Sequence, residues 1–251
     1  MSNGKIQSVV RALNILEYIS TKNGAGVSEI ARELELNKST AFGLIKTLES
    51  ERYIVKDKNN DNYKIGLKLY SLSQNALNKS DFQEYVKPYL EDLSEKFGET
   101  IHLVVATENE GIYIDKIEST KSIRIHTQIG DKLPLHCTGV GKAIMAYKDK
   151  EQVDAYINDI GLKKYTDKTI TDPENLYKVL EDVKERGYSF DEEERYEDLF
   201  CIAVAILSKE GKPIYAISVS MPMFRKTNEI VEQIVEDLLK IKKECEIYFQ
   251  L

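Results

Sequence analysis

An α+β fold in two parts is predicted for this 251-residue chain: a small helical domain with a β-hairpin, then a larger domain around an antiparallel sheet. Three observations predict it. Apolar residues recur at helical spacing in three short N-terminal segments. A turn rich in Asp and Asn then separates two short β-branched runs. The rest of the chain carries strands, then helices, then strands, an order typical of α+β domains.

The first helix is expected to end near Ser20. Its predicted inward stripe is Val9, Ala12, Leu13, Leu16 and Ile19. Two short helices follow the glycine-containing break TKNGAG, with Ser28 placed to cap the second and Asn37 the third. Their predicted inward residues are Ile30, Ala31 and Leu34, then Ala41, Leu44, Ile45 and Leu48.

The segment RYIVKDKNNDNYKIG has the pattern of a β-hairpin. Three short helices followed by a hairpin form a winged helix-turn-helix, which predicts DNA binding by residues 1–65. A helical pattern from Gly66 to about Asn78 predicts a linker helix over 66–80, and NKSD provides a break before a second domain over 81–251.

The second domain is predicted to open with a helix over 82–97 and the strand-like runs IHLVVAT, IYIDKIE and SIRIHTQ. Helices are expected through VGKAIMAY, over 151–157 and over 173–186. The runs CIAVAIL and PIYAISVSM flank a predicted turn at KEGK, and a long helix is expected over 227–249. Its predicted inward stripe is Ile230, Ile234, Leu238, Ile241 and Cys245.

Charge is distributed unevenly along the chain, whose net charge is −7. Residues 1–78 hold 11 Lys/Arg and 8 Asp/Glu, a balance of +3, and the remainder carries −10. A mildly basic N-terminal part permits nucleic-acid binding without demonstrating it. The acidic second part disfavours a purely structural DNA protein.

Several sequence blocks follow one another along nearly the whole chain: QSVVRALNILEYI, LNKSTAFGLIKTLESERYIVKD, YKIGLKLYSLS, GETIHLVVATENEGIYIDKIES, LPLHCTGVGKAIMAY, VKERGYSFDEEE, CIAVAI and ISVSMP. In this order they resemble the signatures of the IclR family of bacterial transcriptional regulators. The resemblance implies a GAF-like effector-binding domain whose central antiparallel sheet is flanked by helices. It also implies a homodimer or a dimer of dimers, joined through the DNA-binding and linker helices.

The function that the resemblance implies is ligand-responsive regulation of transcription, most commonly repression of a catabolic or organic-acid-related operon. The partners would be double-stranded operator DNA and a small-molecule effector, an organic acid, with no cofactor. Whether the chain represses or activates, and which effector it binds, stay open.

A recognition helix needs short polar and basic side chains in its first turns, where they reach base edges and phosphates. The predicted DNA-binding residues are Lys38, Ser39, Thr40, Phe42, Gly43, Lys46 and Thr47 in the third helix, with Lys58, Asn59 and Asn60 in the wing. The alternative is that these are ordinary solvated residues. Phe42 and Gly43 depart from the family pattern, which often has a polar aromatic residue followed by Arg, so the operator sequence cannot be carried over from relatives.

By resemblance, the effector pocket is lined by Leu133, Leu135, Gly139, Val140, Asp191, Cys201, Ser218 and Ser220. Ser218 and Ser220 alternate along a strand and therefore share one face. In the segment LPLHCTGVGKA, the glycines at the start of the predicted helix can expose backbone N–H groups to an anion. The alternatives are that Cys201 fills the core, that Gly139 is a turn residue, and that Asp191 begins a solvated acidic run. Ala205 departs from the family, in which Pro is common at this place.

Catalysis and metal binding find little support in the sequence. Cys137, Cys201 and Cys245 fit neither a disulfide framework nor a zinc site, and are expected to be reduced thiols. His102, His126 and His136 lack metal-ligand spacing. The rival function is a Cys-dependent small-molecule hydrolase with an N-terminal targeting domain, but no base and orienting group accompany either Cys137 or Cys201. No catalytic or metal residue is predicted, although a metal near Asp191 and Cys201 stays open.

A cytoplasmic location without membrane contact is expected. No apolar run approaches the roughly 18 residues of a membrane-spanning helix, and the opening MSNGKIQSVV has no apolar signal core.

Overall fold

The computed structural model describes residues 5–22, 24–58, 60–77, 81–123, 125 and 127–249, with the backbone alone for 73–77 and 81. The chain divides into two compact units, Met1–Asp81 and Phe82–Leu251. None of the helices in the described ranges is long and apolar enough to span a membrane.

The first unit combines short helices with a small sheet. Its elements are α1 (Gln7–Ser20), β1 (Ala25–Gly26), α2 (Val27–Glu33), α3 (Lys38–Ser50), β2 (Ile54–Lys56), β3 (Asn62–Ile65) and α4 (Leu67–Leu77). The sheet has the antiparallel order β1-β3-β2, so that the wing hairpin also pairs with the residues before α2. This arrangement confirms the predicted winged helix-turn-helix.

Two helix starts differ from the expectation. Ser28 does not cap α2, because Ala25 and Gly26 pair with β3 and the helix begins at Val27, with Gly26 at the N-cap. Asn37 does occupy the N-cap of α3, but its side chain makes no capping hydrogen bond.

The core of the first unit confirms the stripe of α3 and corrects that of α1. Ala41, Ile45 and Leu48 are buried as predicted. In α1, however, Val9 and Leu13 are about half exposed, at 52% and 53%, whereas Ile15 is fully buried. The helix therefore packs through a face turned away from Val9 and Leu13.

The second unit is built on a six-stranded antiparallel sheet with helices on both faces. Its elements are α5 (Asp81–Phe97), β4 (Thr100–Ala106), β5 (Gly111–Ile117), β6 (Lys132–Leu133), α6 (Gly139–Met145), α7 (Lys150–Asp159), α8 (Pro173–Arg186), β7 (Ser189–Glu192), β8 (Leu199–Leu207), β9 (Pro213–Pro222), a 3-10 turn (Met223–Arg225) and α9 (Asn228–Tyr248). The strand order is β6-β5-β4-β9-β8-β7. This sheet, flanked by helices, confirms the predicted fold class.

Strand alternation gives the sheet two different faces. Large side chains of one face pack against α5 and α9, including Ile101, Phe200, Ile202, Ile217 and Val219. The other face, packed against α6, α7 and α8, carries smaller residues such as Ala203, Ala205 and Ala216. The polar residues of the candidate effector site lie on this second face.

The predicted strand SIRIHTQ is wrong. Its described residues form no ladder, because the edge of β5 pairs with the short β6 instead. Side chains hold the segment: Thr127 accepts a hydrogen bond from Lys116 Nζ at its carbonyl, at 2.6 Å, and its hydroxyl lies 2.9 Å from His102 Nε2. His126 lies outside the described residues.

Candidate DNA-binding and effector sites

The outer face of α3 presents most of the predicted DNA-binding residues to solvent. Exposed are Lys38, Ser39, Phe42, Gly43, Lys46 and Thr47, and Thr40 is half-buried. Lys46 Nζ donates to Glu49 Oε2 at 2.6 Å and lies 5.9 Å from the centroid of the Phe42 ring. An exposed pair of this kind is weak, so Lys46 can exchange Glu49 for a phosphate.

Gly43 leaves a bare stretch of backbone in the middle of this face. A Cβ at this position would meet no atom within 4 Å. Beside it, the Phe42 ring is 49% exposed. The two positions that depart from the family pattern therefore form an open apolar surface, suited to contact with a thymine methyl group or a groove wall.

The wing stands beside this helix. Lys58 and Asn60 are exposed, and the Asn60 side chain accepts from the Asn62 backbone N–H at 2.9 Å, which shapes the turn. Asn59 lies outside the described residues. A hollow between the two elements is lined by Lys38, Ser39, Phe42, Lys56, Asp61 and Tyr63, among others. Lys56, which pairs with Asp61 at 2.7 Å, thus lies close to the recognition helix.

Strand register in the second unit brings four predicted effector residues together. Cys201 of β8 is paired with Ser220 of β9 and, on its other side, with Asp191 of β7. Ser218 lies two residues along β9 from Ser220, on the same face. All four side chains are buried. Asp191 therefore does not belong to a solvated run, which answers one of the alternatives.

His102 completes this cluster and was not predicted as an effector residue. It lies opposite Ser218 on β4, with Nδ1 at 3.5 Å from Ser218 Oγ and 3.4 Å from Ser220 Oγ. Burial, and to a lesser degree the charge of Lys116, lowers the pKa of His102 to about 3. The imidazole is therefore neutral and serves as a hydrogen-bond partner.

Gly139 joins α6 to the cluster. A Cβ on Gly139 would lie 3.4 Å from Cβ of both Cys201 and Ala203, so the helix start approaches β8 closely. Ser189 Oγ donates to the Gly139 carbonyl at 2.5 Å. The predicted residues Leu133, Leu135 and Val140 are buried in the apolar core between this sheet face and α6 to α8.

Two further charged side chains, Lys142 and Glu194, lie buried beside Asp191 of the cluster. The Asp191 carboxylate accepts from the Glu194 backbone N–H at 2.8 Å, and Glu194 Oε1 accepts from Lys142 Nζ. Burial, with a smaller contribution from the charge of Glu194, raises the pKa of Asp191 to about 7. Burial likewise raises the pKa of Glu194. Near neutral pH the site therefore contains carboxyl groups that can accept hydrogen bonds when ionised and donate them when protonated.

The cysteines are placed as packing residues. Burial raises the pKa of Cys137 to about 12 and that of Cys201 still further, so both thiols are protonated. His136 is already engaged at both nitrogens, at 2.9 Å from Tyr156 Oη and 3.0 Å from the Lys163 carbonyl. Cys137 therefore forms no thiolate–imidazole pair with His136, the neighbouring base that the rival hydrolase would need. Within the described residues, no group of three His, Cys, Asp or Glu side chains could hold a metal.

Sequence reasoning missed His102, Lys142 and Glu194. Period-2 alternation places His102 on the face opposite Ile101 and Leu103, which was a usable signal. The pairing of Lys142 with Glu194 spans 52 positions of sequence and left no local signal.

Comparison with known proteins shows family matches to both parts of the chain. The family described as "IclR helix-turn-helix domain" matches residues 8–58, and that described as "Bacterial transcriptional regulator IclR C-terminal" matches 74–245. The HTH-type transcriptional regulator KdgR of Escherichia coli K12 is 32% identical over 92% of this chain and 88% of its own length. Transcriptional repressor IclR of the same strain is 32% identical over 99% and 92%. The crystal structure of the Thermotoga maritima IclR has a TM-score of 0.78 at 29% identity, covering 98% of this chain and 100% of the other.

Proposed function

The chain belongs to the IclR family of bacterial transcriptional regulators, and we propose that it is a ligand-responsive repressor of a catabolic or organic-acid-related operon. It is a regulator with a DNA-binding helix-turn-helix and an effector-binding domain, and not an enzyme. Repression is supported by the relative named as a transcriptional repressor, which matches along nearly the whole chain. A protein that acts on operator DNA would work in the cytoplasm.

We assign operator recognition to the outer face of α3 and to the wing. The assigned residues are Lys38, Ser39, Thr40, Phe42, Gly43, Lys46, Thr47, Lys58, Asn59 and Asn60. The exposure of this face and the bare backbone at Gly43 support the assignment. We propose 1–65 as the DNA-binding domain, 66–80 as the linker helix and 81–251 as the effector domain.

We assign effector binding to Leu133, Leu135, Gly139, Val140, Asp191, Cys201, Ser218 and Ser220, with an organic acid as the ligand. The observation that carries this assignment is the buried pair of hydroxyls on β9, which lies against a neutral imidazole on the sheet face that packs on α6 to α8. Hydroxyls and an imidazole N–H can donate to a carboxylate. Binding would shift the balance between conformations or oligomers that differ in operator affinity.

We propose that the protein acts as a homodimer or a dimer of dimers joined through α1 and α4. Val9 and Leu13 on α1, and Leu67 on α4, are exposed by 52%, 53% and 83%. These exposed apolar side chains on α1 and α4 provide surface that a second copy would remove from water, which supports the proposal. Leu13→Glu should therefore give a smaller particle in light scattering, whereas Ile160→Glu, at an exposed position after α7, should not.

A gel shift and footprint on the DNA upstream of this gene and its neighbours, repeated with small organic acids, tests the function. A specific footprint that an organic acid weakens is expected. Failure to protect any duplex would overturn the proposal. The double variant Ser218→Ala with Ser220→Ala should keep the footprint and lose the response, whereas Ser208→Ala in the β8–β9 turn should keep both.

A further inference from the structure

Lys142 and Glu194 form an ion pair that is almost completely removed from water. Their side chains are 3% and 9% exposed. Desolvating two charges costs several kcal/mol, and a buried pair often stabilises a fold no better than apolar residues would. Stability alone is therefore a poor reason for this pair.

The pair is also incomplete. Glu194 Oε2 is buried without a hydrogen-bond partner among the described residues. The ammonium of Lys142 has three N–H groups, and in the described contacts it donates only to Glu194 Oε1. Buried polar groups are nearly always satisfied, so an unsatisfied one calls for a physical explanation, and a role in binding is one.

A loosely placed loop does not explain the unsatisfied oxygen. The backbone N–H of Glu194 donates to Asp191 Oδ1 at 2.8 Å, and the carbonyl accepts from Thr169 Oγ1 at 2.6 Å. Glu193 is held at a φ of 64°, in the left-handed region that non-glycine residues rarely adopt. The surrounding chain thus fixes the position of the carboxylate, as expected where strain is kept for function.

The pair lies beside the candidate effector cluster. Lys142 follows Gly139 by three residues and so shares its helix face, and Gly139 packs directly on Cys201. From the other side, Asp191 pairs with Cys201 and holds the Glu194 backbone. The charges of both Lys142 and Glu194 also shift the pKa of Cys201.

We propose that Lys142 and Glu194 form the charged end of the effector site and that the effector is a small hydroxycarboxylate. Lys142 would donate to its carboxylate, and Glu194 Oε2 would accept from one of its hydroxyls. A simple carboxylate leaves Oε2 unsatisfied, and an amine leaves Lys142 without an added acceptor. A hydroxycarboxylate supplies both groups, and its carboxylate gives the ammonium a charged acceptor, which binds more strongly than the hydroxyl of a neutral alcohol. The inference rests on the proposed binding of an organic acid.

The same geometry makes Glu194 a competitor for the ligand. Its carboxylate holds Lys142 in the free protein, so an incoming carboxylate has to share that ammonium. Removing the charge of Glu194 should strengthen anion binding, and removing the charge of Lys142 should abolish it. A role confined to folding does not move the two affinities in opposite directions.

Isothermal titration of the full chain with D-glycerate and D-gluconate, against propionate and hexanoate as matched acids without hydroxyls, tests this. At least one hydroxy acid should bind tenfold or more tightly than its matched acid. Lys142→Met should weaken that binding at least tenfold, and Glu194→Gln should strengthen the binding of propionate and hexanoate. Removing one charge of a buried ion pair can unfold the protein. The double variant Lys142→Met with Glu194→Met therefore serves as a second test, and it should fold without binding the hydroxy acid. Lys242→Met and Glu246→Gln, at a second partly buried pair of the same unit, are the matched controls.

Unchanged affinity in Lys142→Met, or weaker carboxylate binding in Glu194→Gln, would overturn the inference, as would preference for neither hydroxy acid. These outcomes are separable from failure of the proposed function. If some other organic acid still weakens the operator footprint, the proposed regulatory function stands and only this assignment of the ligand site is rejected.

Discussion

Nδ1 of His102 lies 3.4 Å from the hydroxyl of Ser220, on the neighbouring strand of a buried sheet face. On its other side, Nε2 lies 2.9 Å from Thr127 Oγ1. One imidazole thus connects the two serines of β9 to the segment after β5. Because the ring is completely buried, charging it in the folded protein is unfavourable.

His102 should limit the stability of the second unit in acid. Its pKa is lowered from an ordinary 6.5 to about 3 in the folded protein. Its contribution to stability is therefore complete above pH 6.5 and is lost as the pH falls toward 3. Urea unfolding should therefore show that the free energy of unfolding falls less between pH 6.5 and pH 4.5 in His102→Gln than in the unsubstituted chain. If the free energy of unfolding falls equally with pH in both proteins, the ring does not stay neutral in the folded chain.

Asp191 should act in the opposite pH direction. Burial raises its pKa from 3.8 to about 7, and the charge of Glu194 adds to the rise, whereas the charge of Lys142 and the backbone hydrogen bonds of Glu194 and Arg195 act in the opposite direction. A carboxyl with a raised folded pKa contributes stability that is complete below pH 3.8 and is lost as the pH rises through about 7. Asp191→Asn should therefore reduce the loss of unfolding free energy between pH 5 and pH 8. An equal loss in the variant would contradict the prediction. Asp154→Asn, on the exposed α7 surface, is the control.

Lys46→Ala should weaken binding to every duplex and reduce the salt dependence. A lysine that neutralises one phosphate contributes about 0.9 to the slope of log affinity against log salt. The structure adds that Lys46, which is exposed, gives up an ion pair with the partly buried Glu49 when it binds, and exchanging such a surface pair costs little. Fluorescence anisotropy at several salt concentrations measures the slope, with Lys150→Ala on α7 as control. An unchanged slope would remove Lys46 from the interface.

Gly43→Ala should stabilise the helix while it weakens DNA binding. Ala in a helix interior is more stable than Gly by about 0.5 to 1 kcal/mol, and nothing within 4 Å obstructs the added methyl. The methyl would, however, occupy the bare surface where DNA approaches. Gly66→Ala is the contrasting variant, since its Cβ would lie 2.4 Å from the Arg52 carbonyl and should destabilise the unit. Gain of stability with unchanged operator affinity would show that the groove does not reach Gly43.

Thiol reactivity provides a direct test of the packing role of the cysteines. Burial raises the pKa of Cys137 and Cys245 to about 12 and that of Cys201 further. All three should react with a disulfide reagent at pH 8 orders of magnitude more slowly than a free thiol, and fully after unfolding. Rapid labelling of Cys137 in the folded chain would contradict the assignment.

Local periodicity was sufficient for the recognition helix. In α3 the apolar residues other than Phe42 occupy one stripe, so Ala41, Ile45 and Leu48 had one way to be buried, and the outer face followed from them. In α1 apolar residues occur on more than one side. The periodicity predicted the helix there, but packing against the rest of the unit selected Ile15 and left Val9 and Leu13 exposed.

The features of the effector site likewise divide into those that the sequence determined and those that only the tertiary structure decided. The sequence alone determined that Ser218 and Ser220 share a face, because side chains alternate along any strand. Only the tertiary structure decided that His102 lies opposite Ser218, that Asp191 lies beside Cys201, and that an acidic run places Glu194 inside with Lys142. Strand register and the burial of a distant ion pair depend on how the whole sheet and its helices pack. No local pattern of residues contains that information.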